Sequence, residues 1–163
     1  MGVDTRDVVT GHEVKSIGHE QTFMEDIVDK RIAKRELLSL SNRVARRMRQ
    51  KKIKGKTVTL KVKYKDFVQI TRSTSIPKSI DDGLEIYALI CGLLVKTAIG
   101  SRPVRLLGVS CSQISSTRLS EQLSLFQGDG GGKKRDDLNR AVDSLRDKFG
   151  ERSVRPGALI ETK

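Results

Sequence analysis

Aromatic residues are scarce in this chain of 163 residues, which has no tryptophan, two tyrosines and four phenylalanines. We therefore expect a core built mainly from aliphatic side chains. The longest apolar run, Ile86 to Val95, is too short and too interrupted to cross a bilayer. No signal peptide opens the chain either. Both absences predict a soluble, intracellular protein that has no membrane partner.

Cysteine is also scarce, because Cys91 and Cys111 are the only two in the chain. They lie far apart in apolar surroundings, which favours buried, reduced thiols over a disulfide or a metal pair and indicates a reducing cytoplasm. The pairs His12-Glu13 and His19-Glu20 have no third ligand nearby, so we predict no metal site. Residues 128–134 are rich in glycine but lack the Gly-Lys-Ser/Thr ending of a phosphate-binding loop, and we interpret them as a linker.

Acidic residues are missing altogether between Arg43 and Lys65, a segment that carries eleven lysines and arginines. The whole chain has a formal net charge of +12 and a pI near 10.0. Such a balance favours a polyanionic partner, and nucleic acid is the first to suspect. The alternative is that these cations only keep the surface soluble.

Part of this basic segment has the alternation of a β-strand. From Val58 to Tyr64, every second residue is apolar, whereas Thr59, Lys61 and Lys63 fall between them. Alternate residues of a strand point to opposite faces of a sheet. We therefore predict that Lys61 and Lys63 lie on an open sheet face, where they contact phosphates.

Periodicity and turn residues divide the rest of the chain into further elements. We predict strands at Val14–Phe23, Val58–Tyr64, Val68–Ile76 and Val104–Ile114, and helices at Asp29–Lys51, which Gly55 stops, and from a cap at Ser79 or Asp81 to Ile99. This order, β-α-β-β-α-β, predicts an α+β fold that is ferredoxin-like or a permuted relative. Its four-stranded, largely antiparallel sheet would carry both helices on one face and leave the other face open.

The composition changes after Ile114 and marks the end of this domain. We assign residues 14–115 to the domain and residues 116–135, rich in serine and glycine, to a flexible linker. A last helix is predicted from Asp136 to Phe149, within a tail of residues 136–163, with Leu138, Val142, Leu145 and Phe149 on one stripe. We expect this stripe to pack onto the domain. The alternative is that it binds another protein.

Several segments resemble one protein family in their order and spacing. They are Lys15-Ser16-Ile17-Gly18-His19-Glu20 with Thr22-Phe23, Thr57 to Tyr64 with Asp66-Phe67, Thr71-Arg72-Ser73, and Arg102 to Ser110. Together they resemble the little-finger domain of the DinB-type Y-family DNA polymerases. Residues 1–13, with Gly2-Val3-Asp4 and Arg6, resemble the tether that joins the thumb of these enzymes to the little finger.

The resemblance implies a domain that grips the template-primer duplex through its open sheet face in an error-prone, translesion DNA polymerase of DNA damage repair. It implies no catalysis by this chain, because the carboxylates that bind magnesium belong to the family's palm, which would lie upstream of Met1. We accordingly expect no cofactor and no small-molecule substrate for these residues.

The resemblance also implies which residues contact DNA. The phosphate contacts of the family fall on Ser16, Gly18, His19, Thr22, Lys56, Arg72 and Arg105. His19 and Ser110 stand where some members of the family carry arginine.

A second motif lies in the polar tail. Gln122-Leu123-Ser124-Leu125-Phe126 resembles the pentapeptide by which bacterial polymerases dock on the β sliding clamp. In such a motif Gln122 would supply hydrogen bonds while Leu123, Leu125 and Phe126 offer apolar side chains, and Leu125 and Phe126 would fill an apolar pocket. The alternative is that Leu123 and Phe126 pack onto the domain.

Two other functions remain open at this point. The chain is alternatively a stand-alone RNA- or DNA-binding domain, although RNA-binding sheets of this order stack bases on exposed aromatic residues. We expect Tyr64 and Phe67 only at the strand ends and no aromatic on the face of the lysines. The other alternative is an adaptor that acts mainly by occupying the clamp.

Overall fold

The computed structural model describes residues 14–116 and 130–159. In chain order the elements are β1 Ser16–Ile27, α1 Lys30–Gln50, β2 Ile53–Tyr64, β3 Gln69–Ile80, α2 Gly83–Leu94, β4 Val104–Ser116 and α3 Gly130–Phe149, followed by a 3-10 turn at Gly157–Leu159. The predicted order of strands and helices over the first six elements is confirmed. No helix among the described residues is long and apolar enough to cross a membrane.

The four strands form one antiparallel sheet in the order β1-β4-β2-β3. Helices α1 and α2 pack on one face of the sheet and on each other. Val58, Leu60 and Val62 of β2 are fully buried under these helices. The intervening residues of β2 point the other way, so the predicted α+β architecture with one open face is confirmed.

The junction between α1 and β2 differs from the prediction that Gly55 stops the helix. Helix α1 ends at Gln50, and the chain turns at Lys52, which has a φ of 54° and donates its N–H to the Arg49 carbonyl at 2.9 Å. Gly55 instead lies inside β2, where an added Cβ would meet the Ser112 carbonyl oxygen at 3.1 Å. This glycine permits close packing rather than a change of direction.

Strand β3 runs through Pro77 to Ile80, whereas the sequence predicted that it stops at Ile76. The register between β2 and β3 shifts here, since Gly55 pairs with Ile80 but Thr57 pairs with Ser75. Residues 76–79 form this irregularity at the edge of the sheet. A proline, which has no N–H to donate, is tolerated at such a place.

Helix α2 begins later and ends earlier than predicted. Asp82 is its cap, because one carboxylate oxygen accepts the N–H groups of Leu84 and Glu85, both at 2.9 Å. A cap of this kind satisfies N–H groups that have no partner within the helix. The helix ends at Leu94, five residues before the predicted Ile99, and the chain continues through hydrogen-bonded turns to Gly100.

The core is largely aliphatic, as expected, with Tyr64 as its one fully buried aromatic side chain among the described residues. The Tyr64 hydroxyl accepts the N–H of Ala98 at 3.0 Å, so this polar atom is satisfied. Cys111 is buried and Cys91 is half-buried, and both are free thiols. Burial raises the pKa of Cys111 to about 12, which keeps this thiol protonated at neutral pH.

Helix α3 starts at Gly130, six residues before the predicted Asp136, so the assigned linker is helical in part. It ends at Phe149, as predicted. The next residue, Gly150, has a φ of 91°, which suits a glycine, and its N–H donates to the Arg146 carbonyl at 2.9 Å.

The expected packing of the α3 stripe onto the domain is wrong for three of its four residues. Leu138, Leu145 and Phe149 are exposed, whereas Val142 is half-buried. The helix contacts α1 and α2 instead through ion pairs and hydrogen bonds on its charged side.

Candidate nucleic-acid interface

The open face of the sheet consists of cross-strand rows in which one residue comes from each strand. The central row contains Glu20 of β1, Gly108 of β4, Lys61 of β2 and Thr71 of β3. The neighbouring row contains Gly18, Ser110, Thr59 and Ser73, and the next contains Ser16, Ser112, Thr57 and Ser75. Residues that are paired directly across antiparallel strands share a face, so these rows together form the open surface.

Small hydroxyl side chains dominate this face. Nine serines and threonines lie on it: Ser16, Thr22, Thr57, Thr59, Thr71, Ser73, Ser75, Ser110 and Ser112. Hydroxyls donate hydrogen bonds to phosphate oxygens without reading a base. Sequence reasoning identified three of the nine, and the others become visible only once the register of the strands is known.

Lys61 forms an ion pair with Glu20 across the full width of β4. Its Nζ lies 2.9 Å from Oε1 and 3.1 Å from Oε2 of Glu20. The two side chains meet above Gly108, where an added Cβ would come within 2.9 Å of the Glu20 Cγ and 3.3 Å of the Lys61 Cβ. The strand alternation predicted the face on which Lys61 lies, but not the carboxylate opposite it.

Phe67 lies at the strand ends, as expected, between β2 and β3. Its ring nevertheless lies beside Lys63 of the open face, where no aromatic was expected. Its side chain is 62% exposed, with Lys63 Nζ 4.9 Å and Arg105 Cζ 5.3 Å from the ring centroid. Cations at such distances are attracted to the face of an aromatic ring. Phe67 has a φ of 64°, a left-handed backbone conformation that is uncommon for a bulky residue.

Arg105 lies at a register shift between β2 and β4. Leu106, which follows it, pairs with Lys63, and Val104, which precedes it, pairs with Tyr64. Besides the Phe67 ring, Arg105 approaches Asp26 of β1, with 3.8 Å between Nη1 and Oδ1. At this distance the two charges form an ion pair, and the Asp26 side chain is only 16% exposed, so Asp26 offsets part of the Arg105 charge. Arg105 and Lys63 lie together beside the Phe67 ring at one end of the open face.

Ser16, Gly18 and Thr22, for which the resemblance implied phosphate contacts, lie along the open side of β1. Gly18 has a packing reason to be glycine, since an added Cβ would lie 2.9 Å from the Cβ of Ser110 on the neighbouring strand. Lys56 is exposed at the register shift of β2, close to the hydrogen bond of 2.8 Å between Thr57 and Ser75.

His19 and Arg72 do not share this face, although the resemblance implied phosphate contacts for both. His19 pairs with the buried Val109, and Arg72 pairs with the buried Leu60, so both residues belong to the helix side of the sheet. The Arg72 guanidinium donates to the Lys96 carbonyl at 3.3 Å, beyond the end of α2.

The surroundings of His19 agree with this placement. Desolvation, followed by the charges of Arg47 and Arg43 on α1, lowers the pKa of His19 below its usual value, while Glu151 acts in the opposite direction. The imidazole is therefore held towards its neutral form.

The acid-free basic segment is divided between two surfaces. Lys61 and Lys63 lie on the open face, whereas Arg46 and Arg49 of α1 are engaged on the helix side. The Arg49 guanidinium forms a two-pronged contact with Asp143 of α3, at 2.7 and 2.9 Å, and both side chains are 16% exposed. Acidic residues far along the chain thus neutralise part of the segment.

Arg46 pairs with Asp147 at 2.7 Å and also with Glu151. Asn139 of α3 donates to Asp82 at 2.8 Å, and Arg135 lies 3.3 Å from Glu85. Polar contacts of this kind fix α3 against the helix layer, away from the open face of the sheet.

The predicted clamp-binding residues, Gln122, Leu123, Leu125 and Phe126, lie outside the described residues, as do residues 1–13 of the predicted tether.

The fold and the site define a class of α+β domains in which two helices back a four-stranded sheet whose other face is open. Among known protein families, the model described as the impB/mucB/samB family C-terminal domain matches residues 14–125. The chain belongs to this family.

Curated relatives carry the name DNA polymerase IV. The protein of that name from Desulfatibacillum aliphaticivorans is 43% identical over 159 residues, which cover 98% of this chain and 40% of the relative. The one from Clostridium kluyveri is 36% identical over 169 residues, covering 98% of this chain and 42% of the relative. The chain therefore spans about two fifths of the length of these relatives, and the family model that it matches is that of the C-terminal domain.

Solved structures show the same fold. One is a complex of the β-clamp processivity factor with the little-finger domain of PolIV, which matches with a TM-score of 0.51 at 23% identity, covering 60% of this chain and 86% of that one. Another is a post-insertion binary complex of Dbh DNA polymerase, with a TM-score of 0.51 at 18% identity, covering 62% of this chain and 29% of that one.

Proposed function

We propose that this chain is the DNA-binding part of a translesion DNA polymerase, and that its open sheet face grips the phosphates of the template-primer duplex. The observation that carries the proposal is the composition of that face, where Lys61, Lys63 and Arg105 stand among nine small hydroxyls. Cations and hydroxyls bind the phosphate backbone without regard to sequence. A polymerase that moves along any template needs contacts of this kind.

In such a polymerase, other domains carry out nucleotidyl transfer with the magnesium ions that it requires. The present residues contribute the grip on DNA and need no cofactor of their own. DNA damage repair in the cytoplasm is the role that we propose for the parent enzyme, in keeping with relatives named DNA polymerase IV.

A fluorescence-anisotropy titration with a primer-template duplex over a series of salt concentrations tests the proposal. We expect a steep salt dependence, which Lys63→Gln or Arg105→Gln flattens by about one phosphate each, with equal loss for all sequences. Lys34→Gln is the matched control, because Lys34 is an exposed lysine of α1 on the helix side. Equal weakening by the control variant, or a loss confined to some sequences, would contradict the proposal.

We further propose that Gln122 to Phe126 docks the chain on the β sliding clamp. The family match extends to residue 125, and a related little-finger domain forms a complex with the clamp. A short linear motif binds modestly and acts by raising the local concentration of the polymerase at DNA. We expect Phe126→Ala to abolish clamp binding in a pull-down and to leave duplex affinity unchanged, whereas a parallel fall in DNA affinity would make the tail part of the DNA site.

Phe67 favours single-stranded RNA or DNA as a second candidate ligand, because an exposed ring beside two cations is the arrangement on which unpaired bases stack. Competition between labelled duplex and unlabelled single-stranded RNA distinguishes the two candidates. Preference for duplex supports the polymerase grip. Failure to bind duplex even at low salt leaves the clamp motif as the main functional element and favours the adaptor.

A further inference from the structure

A cleft of about 480 Å³ lies between α1 and the segment that follows α3, on the side of the helices and away from the open face of the sheet. Its lining includes six arginines: Arg35, Arg43, Arg46, Arg146, Arg152 and Arg155. Among the described residues of the same lining, Glu36 and Glu151 are the acidic ones. The cleft is therefore strongly cationic, and a cleft lined by charges of one sign concentrates the opposite charge within it.

Four of these arginines, Arg35, Arg43, Arg152 and Arg155, are exposed and form no ion pair or hydrogen bond with another described residue. The other two are engaged: Arg46 binds Asp147 and Glu151, and Arg146 donates to the Val154 carbonyl at 2.9 and 3.1 Å. Ion pairing within the described part of the chain thus leaves most of the charge of the cleft uncompensated.

The engaged arginines also show that further negative charge would be stabilising here. The Nε of Arg46 is buried and has no hydrogen-bond partner among the described residues. Burial is the main cause that lowers the pKa of Arg146. Asp143 and Glu151 oppose this effect, while Arg46 and Arg49 reinforce it. An anion in the cleft would favour the charged form of Arg146 and offset its loss of hydration.

The shape and chemistry of the lining indicate the class of anion. Arg35 and Arg46 are eleven positions apart on α1, so the cationic row is about 16 Å long, more than one phosphate needs. Guanidinium groups match phosphate oxygens in two-pronged hydrogen bonds. Pro156 and Leu159 are the apolar residues of the lining, and none of its residues in the described part of the chain carries an aromatic ring that could stack a base.

We propose that this cleft binds a short chain of phosphate groups, as found in inorganic polyphosphate or in the triphosphate of a nucleotide. The site is independent of the proposed grip on DNA, because its lining shares no residue with the open face of the sheet. Failure of either proposal leaves the other standing.

Isothermal titration of the 163-residue chain with sodium tripolyphosphate tests the proposal, with sodium sulfate at the same ionic strength as the reference anion. We expect saturable binding of one tripolyphosphate, weakened about tenfold or more by the double substitution Arg35→Gln with Arg43→Gln. The matched control is Arg31→Gln with Arg47→Gln, which removes the same charge from exposed positions of α1 outside the lining. Affinity in the control should remain within about twofold of the unaltered chain.

Arg152→Gln with Arg155→Gln provides a second test from the opposite wall, should the first pair disturb α1. Titration with ATP distinguishes inorganic polyphosphate from a nucleotide as the source of the phosphates. Equal affinity for ATP and tripolyphosphate means that only the phosphate chain is bound, whereas tighter binding of ATP means that the nucleoside also contributes.

Three results would overturn the proposal. The first is that tripolyphosphate does not bind saturably. The second is that the control pair weakens its binding as much as Arg35→Gln with Arg43→Gln does, and the third is that binding is lost on Lys61→Gln with Lys63→Gln instead. Binding of a single-stranded oligonucleotide that depends on Arg35 and Arg43, without binding of tripolyphosphate, would also overturn it and make the cleft a nucleic-acid surface.

Discussion

Lys61 and Glu20 meet above Gly108, so the central lysine of the open face carries an anionic partner from the same molecule. Because both side chains are partly exposed, the pair contributes little to stability. Its consequence concerns binding instead: a phosphate that approaches Lys61 has to compete with the Glu20 carboxylate.

We expect Glu20→Gln to strengthen duplex binding by up to about fivefold, which corresponds to the roughly 1 kcal/mol of an exposed ion pair. The change removes a competing negative charge and leaves Lys61 free for phosphate. Glu25→Gln, an equal charge change at an exposed position of β1, is the control and should have a smaller effect. Anisotropy titration of both variants at one low salt concentration measures the difference, and equal gains would show that only net charge matters.

Phe67 is expected to hold Lys63 and Arg105 in place for phosphate binding through its ring. Phe67→Leu should weaken duplex binding about two- to fivefold, since an exposed cation–π contact is worth roughly 0.5–1 kcal/mol. Phe67→Tyr keeps the ring and should keep the affinity. Both replacements experience the same left-handed backbone, so the comparison isolates the aromatic contact. Equal affinity of the leucine and tyrosine variants would exclude this role.

Asp143 should be decisive for the docking of α3, because its contact with Arg49 is two-pronged and largely shielded from water. We expect Asp143→Asn to weaken docking by about 1–3 kcal/mol and to speed amide hydrogen exchange in α3 selectively. Asp137→Asn is the control, because Asp137 pairs only with Arg140 of its own helix among the described residues. A uniform change across the whole domain would instead indicate global destabilisation.

Protonation of His19 should destabilise the fold. Its pKa in the folded chain lies below the value of about 6.5 expected when unfolded, so the unfolded chain binds the proton more readily. The stabilisation that neutral His19 contributes is therefore fully present above pH 6.5, and it decreases as the pH falls towards the pKa of the folded chain.

Urea unfolding of the chain and of His19→Gln at pH 7.5 and in steps down to pH 5 checks this prediction. As the pH decreases, the unfolding free energy of the unaltered chain should fall relative to that of His19→Gln. A constant difference would mean that His19 titrates alike in both states.

Local patterns were sufficient to predict the elements of the fold and the face of Lys61 and Lys63, because alternation in a strand depends only on neighbouring residues. The partners of these residues were not predictable in the same way. Glu20 is 41 positions from Lys61, and Asp143 is 94 positions from Arg49. Such contacts depend on strand register and helix docking, which no short segment specifies.

The errors in the prediction have physical causes of the same kind. The predicted strand ended at Ile76, because the next residue, Pro77, cannot donate a ladder hydrogen bond. Strand β3 lies at the edge of the sheet, however, where a proline is tolerated. The stripe of α3 was expected to be buried because apolar periodicity normally marks the packed side of a helix. Here Arg46 and Arg49 attract the acidic side instead.

The interruption at Pro77 also affects how the domain behaves at high concentration. An uninterrupted edge strand offers a template for pairing with a second molecule and invites aggregation. Strand β3 is irregular over residues 76–79, and β1, the other edge, has its own register shift between Thr22 and Ile27. Each rim of the sheet is therefore irregular at one end, a feature that disfavours edge-to-edge pairing of neighbouring copies.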